Sequence, residues 1–374
     1  MHILAQYLDN YKLWDERALA AHCAQHSVYI RKSELYPGLA LLHYADGASY
    51  GKLWDDFNMM CRGAILDMTN RRVLAWPFNK FFNLGEHEST DPARVAAMGD
   101  FVATEKLDGS LLILFNDPNT GKNWFATKGS LVSEHAVYAN AMIPETLRDL
   151  KLEDHTYMFE LISGKFPNVI NYRKRGYTDG VYLIGARNNL TGSLFRSAEL
   201  HAVADTLRVP RFKRMSFTDL DSAVRWTMGL PGEEEGYVLR FDNEQFLVKV
   251  KGLAYIRAHR VIQGMNDSAV LESLFAGKRD VLLSQCPEEY RKDVAARFGV
   301  LEKLIAQVER EIRADYAGLG NTSRKEFAAQ VRAGVRADRA KFMFLLRDGR
   351  SIREALYKHV QATCIECGKI TKQR

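Results

Sequence analysis

Between Phe101 and Lys251 the apolar residues come in short runs, either alternating with polar ones or apolar throughout, and each run ends at a polar or glycine-containing break. This pattern predicts strands over Phe101–Glu105, Leu111–Asn116, Asn123–Thr127, Thr156–Ile162, Val181–Arg187, Glu235–Phe241 and Gln245–Lys251. Antiparallel sheet is expected, with the last two strands joined as a hairpin through Asp242-Asn243-Glu244. Helical periods at Ser197–Leu207 and Leu220–Met228 interrupt the strands, so the domain reads as α+β. The preceding 95 residues carry a helix near Glu16–Gln25, an irregular aromatic-rich part, and short strands around Gly63–Met68 and Val73–Trp76.

After Leu253 the period changes to 3.6, predicting helices over Glu288–Ala314, Glu326–Val331, Arg339–Leu346 and Ile352–His359. Capping boxes at Ser323/Glu326 and Ser351/Glu354 mark two of the starts. Two domains are therefore expected, residues 1–252 and an all-α part at 253–374, in keeping with a chain of 374 residues. Five scattered cysteines argue for a reducing compartment, hence the cytoplasm, and against a disulfide framework. Cys364-Ile365-Glu366-Cys367 reads as two free thiols in preference to half of a zinc site. No uncharged apolar run is long enough for a bilayer. A net charge of +6 fits a nucleic-acid partner without requiring one.

Candidate chemistry starts at Glu105-Lys106-Leu107-Asp108-Gly109-Ser110, where a lysine stands between two strands. A lysine crowded by cations loses its proton more readily and becomes a nucleophile, and Gly109 permits close approach of backbone or ligand. Taken alone, the turn fits a solvated lysine equally well. Glu160, between Phe159 and Leu161, is costly to bury without a partner. Arg62 beside Gly63, Lys80 among Phe78, Phe81 and Phe82, and Tyr44 after His43 suit phosphate or a purine, or else a core cluster with snorkelling cations. Lys249 and Lys251 share one strand face, facing solvent or a phosphate. Glu233-Glu234-Glu235 is an acidic rim or a metal ligand set, and Lys128 and Arg187 are further strand-end cations.

Taken in order, Lys106-x-Asp108-Gly109, Phe159-Glu160, Glu235-Gly236 and Lys249-x-Lys251 resemble the motif series of the lysyl-nucleotidyltransferase superfamily of ATP-dependent DNA ligases, RNA ligases and capping enzymes. Cys61-Arg62-Gly63, Lys80-Phe81-Phe82-Asn83-Leu84, Lys128-Gly129-Ser130 and Glu235-Gly236-Tyr237-Val238 resemble the T-even phage RNA ligase 1 family, over about Tyr44 to Tyr255. The resemblance implies an antiparallel-sheet nucleotidyltransferase domain followed by a helical domain that directs RNA choice. It implies joining of RNA 5′-phosphate and 3′-hydroxyl ends through lysyl-AMP and RNA-adenylate, with resealing of cleaved tRNA as the family's association; a monomer is expected. It assigns Lys106 as nucleophile and Tyr44, Arg62 and Lys80 to ATP. Glu160 goes to the ribose hydroxyls, Lys249 and Lys251 to phosphates, and Glu235 to magnesium or manganese. Asp280 is a further metal position, and Gly109, Lys128, Arg187 and Tyr255 are supporting residues. Gathered around Lys106, the cations would lower its pKa.

A DNA ligase or capping enzyme would append an all-β OB-fold after the last lysine motif, where this sequence turns helical. A binding protein that has lost catalysis would erode the motif residues, and here every position is filled.

Overall fold

The computed structural model describes residues 3–166, 168–264, 267–285, 288–320 and 322–366. The chain divides into two compact units, Met1–Ile256 and Arg257–Arg374. In chain order the strands are β1 (Val28–Arg31), β2 (Leu39–Tyr44), β3 (Arg62–Asp67), β4 (Arg72–Ala75), β5 (Phe82–Asn83), β6 (Val102–Glu105), β7 (Ser110–Asn116), β8 (Asn123–Thr127), β9 (His155–Ile162), β10 (Gly180–Asn188), β11 (Arg214–Met215), β12 (Gly236–Phe241) and β13 (Phe246–Lys251). They form three sheets, ordered β1-β2-β3-β4, β10-β9-β7-β8 and β11-β6-β12-β13-β5. All pairings are antiparallel except β13 with β5, where Val248 faces Phe82 and Lys249 faces Asn83.

The seven strands expected between Phe101 and Lys251 occur within a residue of their predicted bounds. In the first sheet, β3 and β4 match the short strands expected around Gly63–Met68 and Val73–Trp76, and β1 and β2 are the addition. The central β2 begins Leu39-Ala40-Leu41-Leu42, a run without alternation, because both of its faces are covered. Leu42, Ala64 and Leu66 pack with Leu4, Leu8 and Leu19 of the helices Ile3–Asn10 and Glu16–Gln25. On the opposite face Leu41 and Ile65 meet Ile113, Phe115 and Ala126 of the second sheet. The other face of the second sheet buries Leu112, Leu114 and Phe159 against the helices Glu134–Ala141 and Ser197–Leu207. Truncating the fully buried Phe159 to Ala would cost about 3–5 kcal/mol.

The third sheet buries Leu239, Val248 and Val250 against the helix Leu220–Met228, so the alternate residues Val238, Arg240, Lys249 and Lys251 fall on its other face. The β12–β13 turn runs through Asp242, Asn243 and Glu244, all with positive φ. It is held because the buried Glu244 carboxylate accepts from the Ser197 backbone N–H at 2.6 Å and from the Ser197 hydroxyl at 2.9 Å.

Among the described residues no strand follows Lys251. The second unit packs the helices Asp267–Ala276, Arg279–Gln285, Glu288–Ala317, Arg324–Gly334, Ala340–Arg347 and Arg353–Glu366 around Phe298, Ile312, Phe327, Phe342, Leu356 and Val360. Ser323 and Glu326 form their capping box. Ser351 and Glu354 do not: the last helix starts at Arg353, and Glu354 instead pairs with Lys358 at 2.8 Å. Cys367 lies outside the described residues, as does the Cys364 side chain; Cys23 and Cys61 are buried free thiols. No helix among the described residues is long and apolar enough to cross a membrane.

Candidate active site

Lys106 stands where the chain leaves one sheet for another. Strand β6 ends at Glu105 in the third sheet and β7 begins at Ser110 in the second. The Lys106 N–H donates to the Gly236 carbonyl at 2.9 Å, prolonging the β6–β12 ladder, and the Gly109 N–H donates to Glu160 Oε1 at 2.9 Å. A Cβ on Gly109 would lie 2.2 Å from the Leu161 carbonyl oxygen, so only glycine allows this approach to β9. Gly63 is required in the same way: φ is +97°, and a Cβ would meet the Lys128 Cα at 2.9 Å.

The Lys106 side chain enters a cavity of about 210 Å³ also lined by Arg62, Lys80, Glu160, Arg240, Lys249 and Lys251. Its ammonium donates to Glu235 Oε2 at 2.7 Å, and Lys251 reaches Glu235 Oε1 at 2.9 Å. Here the structure departs from expectation. Burial pushes the Lys106 pKa down, but Glu235, Glu160 and Asp108 outweigh it and leave it above the ordinary lysine value. The nearest charges are carboxylates; the sequence shows which charges exist, not which lie closest. Glu235 is buried, which raises its pKa, yet the two ammoniums bring it below the usual carboxylate value.

Cation crowding acts on other lysines instead. Lys249, held by the Phe81 carbonyl at 2.8 Å, is pushed well below the ordinary lysine value by burial and by Arg62, Lys106 and Lys80. Burial also lowers Lys80, with Glu86 opposing, and lowers Lys128, with Arg62 adding to the effect. Lys80 lies 4.9 Å over the Trp54 ring and 4.7 Å over Phe82. Arg62 lies 5.8 Å over Phe81, and its buried Nη1 has no hydrogen-bond partner. Tyr44 does not line this cavity but packs edge-on against Trp54 at 5.0 Å. Arg187 does not line it either, and belongs to a neighbouring cavity.

Glu160 has its partner in the Gly109 N–H, but burial, opposed by Lys106, still leaves its pKa at about 7. Asp108 anchors the turn, accepting from the Val169 N–H at 2.9 Å and from the Tyr255 hydroxyl at 3.0 Å. Tyr255 thus touches the turn and not the cavity. Tyr255→Phe is expected to destabilise the protein by about 1–3 kcal/mol, read as a lower urea midpoint with an unchanged slope.

Three contributors escaped the sequence reading. Arg240 is a buried cavity cation whose Nη1 lacks a partner; its spacing of two from Val238, on the same face of β12, was the available signal. The Tyr172 hydroxyl accepts from the Asp108 N–H, and Asn168 donates to the Gly109 carbonyl at 2.7 Å. Both lie some 60 residues away, Asn168 in irregular chain and Tyr172 at the start of a short 3-10 helix, where no local pattern points to the turn. Asp280 lies at the start of the helix Arg279–Gln285 in the second unit, and the described residues contain no group of three His, Cys, Asp or Glu placed to hold a metal.

A cavity that sets Lys106 among further cations is suited to a phosphate-bearing ligand. The family model described as RNA ligase, of the T4 RNA ligase 1 type, matches residues 60–255, just over half the chain, and the chain belongs to this family. It is 30% identical over 212 residues to "Putative RNA ligase" of Thermovibrio ammonificans, covering 53% of this chain and 52% of that protein. It is 26% identical over 191 residues to "RNA ligase" of Rhodothermus phage RM378, covering 40% of this chain and 41% of that protein. The chain thus spans about half the length of the curated relatives it matches, or less. A solved structure titled "Archaeal ATP-dependent RNA ligase - form 1" aligns over 84% of this chain and 85% of that one, with 14% identity and a TM-score of 0.48.

Proposed function

We propose that this chain is an ATP-dependent RNA ligase joining RNA 5′-phosphate and 3′-hydroxyl ends. The observation that carries the reading is the single cavity containing Lys106, Glu160 and the cations Arg62, Lys80, Lys249 and Lys251, on a chain of the RNA ligase family. Lys106 Nζ, once deprotonated, attacks the α-phosphorus of ATP; a P–N bond forms and the bond to pyrophosphate breaks. An RNA 5′-phosphate oxygen then takes the AMP, breaking the P–N bond and returning a proton to the amine. Finally an RNA 3′-hydroxyl oxygen attacks the 5′-phosphate, its proton leaves, and AMP departs. Glu160 accepts from the ribose hydroxyls, and the cations meet the charge on the phosphates. The hard oxygens of Glu235, which pair with Lys106 and Lys251, are of the kind that would hold magnesium, which when bound neutralises phosphate charge.

Intact mass after incubation with ATP and magnesium tests the reading: a gain of one AMP is expected, and no gain overturns it. Glu160→Ala is expected to keep the fold and lose most of this gain. Glu160→Gln should remove a pH dependence. A carboxyl whose folded pKa is about 7 against an ordinary 4.5 makes the protein less stable as pH rises between those values, and the variant should lack that fall in urea titrations.

We also propose that the first unit suffices for lysyl-AMP formation while the helical unit directs RNA choice. A protein of residues 1–256 is expected to gain AMP yet join RNA poorly; a soluble form that gains none would refute this. The finer reading is a phage RNA ligase 1 type enzyme, monomeric, acting in the cytoplasm on cleaved tRNA. Faster joining of cleaved tRNA halves than of unstructured RNA ends would support it.

A further inference from the structure

A second cavity of the first unit, about 690 Å³, shares Phe78, Lys80, Phe81 and Leu247 with the Lys106 cleft. Arg187, on β10, lines it while only 4% exposed. Its guanidinium lies 4.0 Å over the Trp76 ring, its Nε has no hydrogen-bond partner, and it forms no ion pair among the described residues. The ring face offsets only part of the hydrogen bonding a buried guanidinium loses on leaving water, and no carboxylate pairs with it among the described residues. Burial lowers its pKa to about 9, in the same sense. Asp56 is the one acidic residue among those lining the cavity. The remaining wall offers the half-buried rings of Phe81 and Phe246, and Asn79, whose buried Oδ1 also lacks a partner. A buried cation, ring faces and a free amide oxygen in a volume of this size suit a phosphate with its base.

We propose that this cavity holds a nucleotide of a single RNA strand beside the end being joined, its phosphate on Arg187 and its base against Phe81 and Phe246. The shared wall explains the placement: a nucleotide here lies across Phe78, Lys80, Phe81 and Leu247 from the Lys106 cleft. The inference rests on the RNA ligase reading, which the wild-type AMP mass gain tests separately. The experiment is fluorescence anisotropy of a 5′-fluorescein single-stranded oligoribonucleotide with the full chain and with Arg187→Met. The Kd is expected to rise at least tenfold. Thermal stability should stay level or rise, because a buried cation without an ion pair is replaced by an apolar chain of similar length. An unchanged Kd overturns the proposal, as does a large fall in Tm, which would make Arg187 a structural anchor. Displacement of the labelled RNA by free AMP at a concentration that leaves the Lys106 cleft unfilled would assign the cavity to mononucleotides and also overturn it. If Arg187→Met does not fold, Ser193→Trp, at an exposed position on the cavity wall, should fill the cavity and weaken RNA binding equally; unchanged binding by that variant refutes the site.

Discussion

Lys106→Ala is expected to show no AMP mass gain with ATP and magnesium, yet to retain joining of RNA supplied with a 5′-adenylate. In the final step of the proposed reaction the nucleophile is an RNA hydroxyl and the leaving group is AMP, so no bond to lysine is made or broken. Lys249→Ala should behave differently. In the proposed reaction Lys249, held at 2.8 Å by the Phe81 carbonyl beside Arg62 and Lys80, would meet phosphate charge in several steps. Loss of one such contact costs about 10²–10³-fold in rate, and here the loss should extend to pre-adenylated RNA. A gel assay of pre-adenylated donor and 3′-hydroxyl acceptor without ATP separates the two variants. An inactive Lys106→Ala alongside a normal Lys249→Ala would refute the division of roles.

Glu235→Ala carries the second large effect, with two readouts moving in opposite directions. The 2%-exposed carboxylate pairs with ammoniums that are 22% and 23% exposed, so its removal strands two partly buried cations. Breaking a buried pair costs about 3–5 kcal/mol, and the partial exposure of the lysines places this case near the lower end, about 3 kcal/mol. Without Glu235, Lys106 loses the largest of the influences that raise its pKa while burial still lowers it, so its pKa falls. The variant is therefore expected to react faster than wild type with an amine-acylating reagent at neutral pH, at Lys106 by peptide mass mapping. Adenylylation by ATP should nevertheless drop about a hundredfold, because the amine loses its orienting partner. The sign for stability follows from the pair. The contribution through Lys106, whose pKa is raised, is present below its ordinary value and lost as pH rises through the folded one. The contribution through Glu235, whose pKa is lowered, is present above its ordinary value and lost as pH falls through the folded one. Wild type should thus exceed Glu235→Ala in stability most clearly near neutral pH.

The sequence revealed strand periods and motif residues because both are local. Val238, Arg240, Lys249 and Lys251 lie on one face by alternation alone, and the change of period after Leu253 marks where strands stop. What escaped depends on distance. Lys106 and Glu235 are 129 residues apart, so their 2.7 Å contact, and with it the direction of the lysine's pKa shift, has no local signature. Nor did the run Leu39–Leu42 show that it is a strand covered on both sides, since a wholly apolar stretch lacks a period to read. The partition into three sheets, which sets Lys106 on a junction, arises only from long-range pairing.

That junction has a consequence for how the chain can vary. The Lys106 N–H is tied to Gly236 in one sheet and the Gly109 N–H to Glu160 in the other, leaving two residues between the anchors and no spare length. One inserted or deleted residue between them would shift the amine relative to the carboxylates or strip the ladder from one sheet. Insertions and deletions accumulated over evolutionary time should therefore avoid this segment even where its side chains drift, and fall in exposed connections such as residues 118–122. Gap positions in an alignment of relatives, rather than residue identities, would record the constraint.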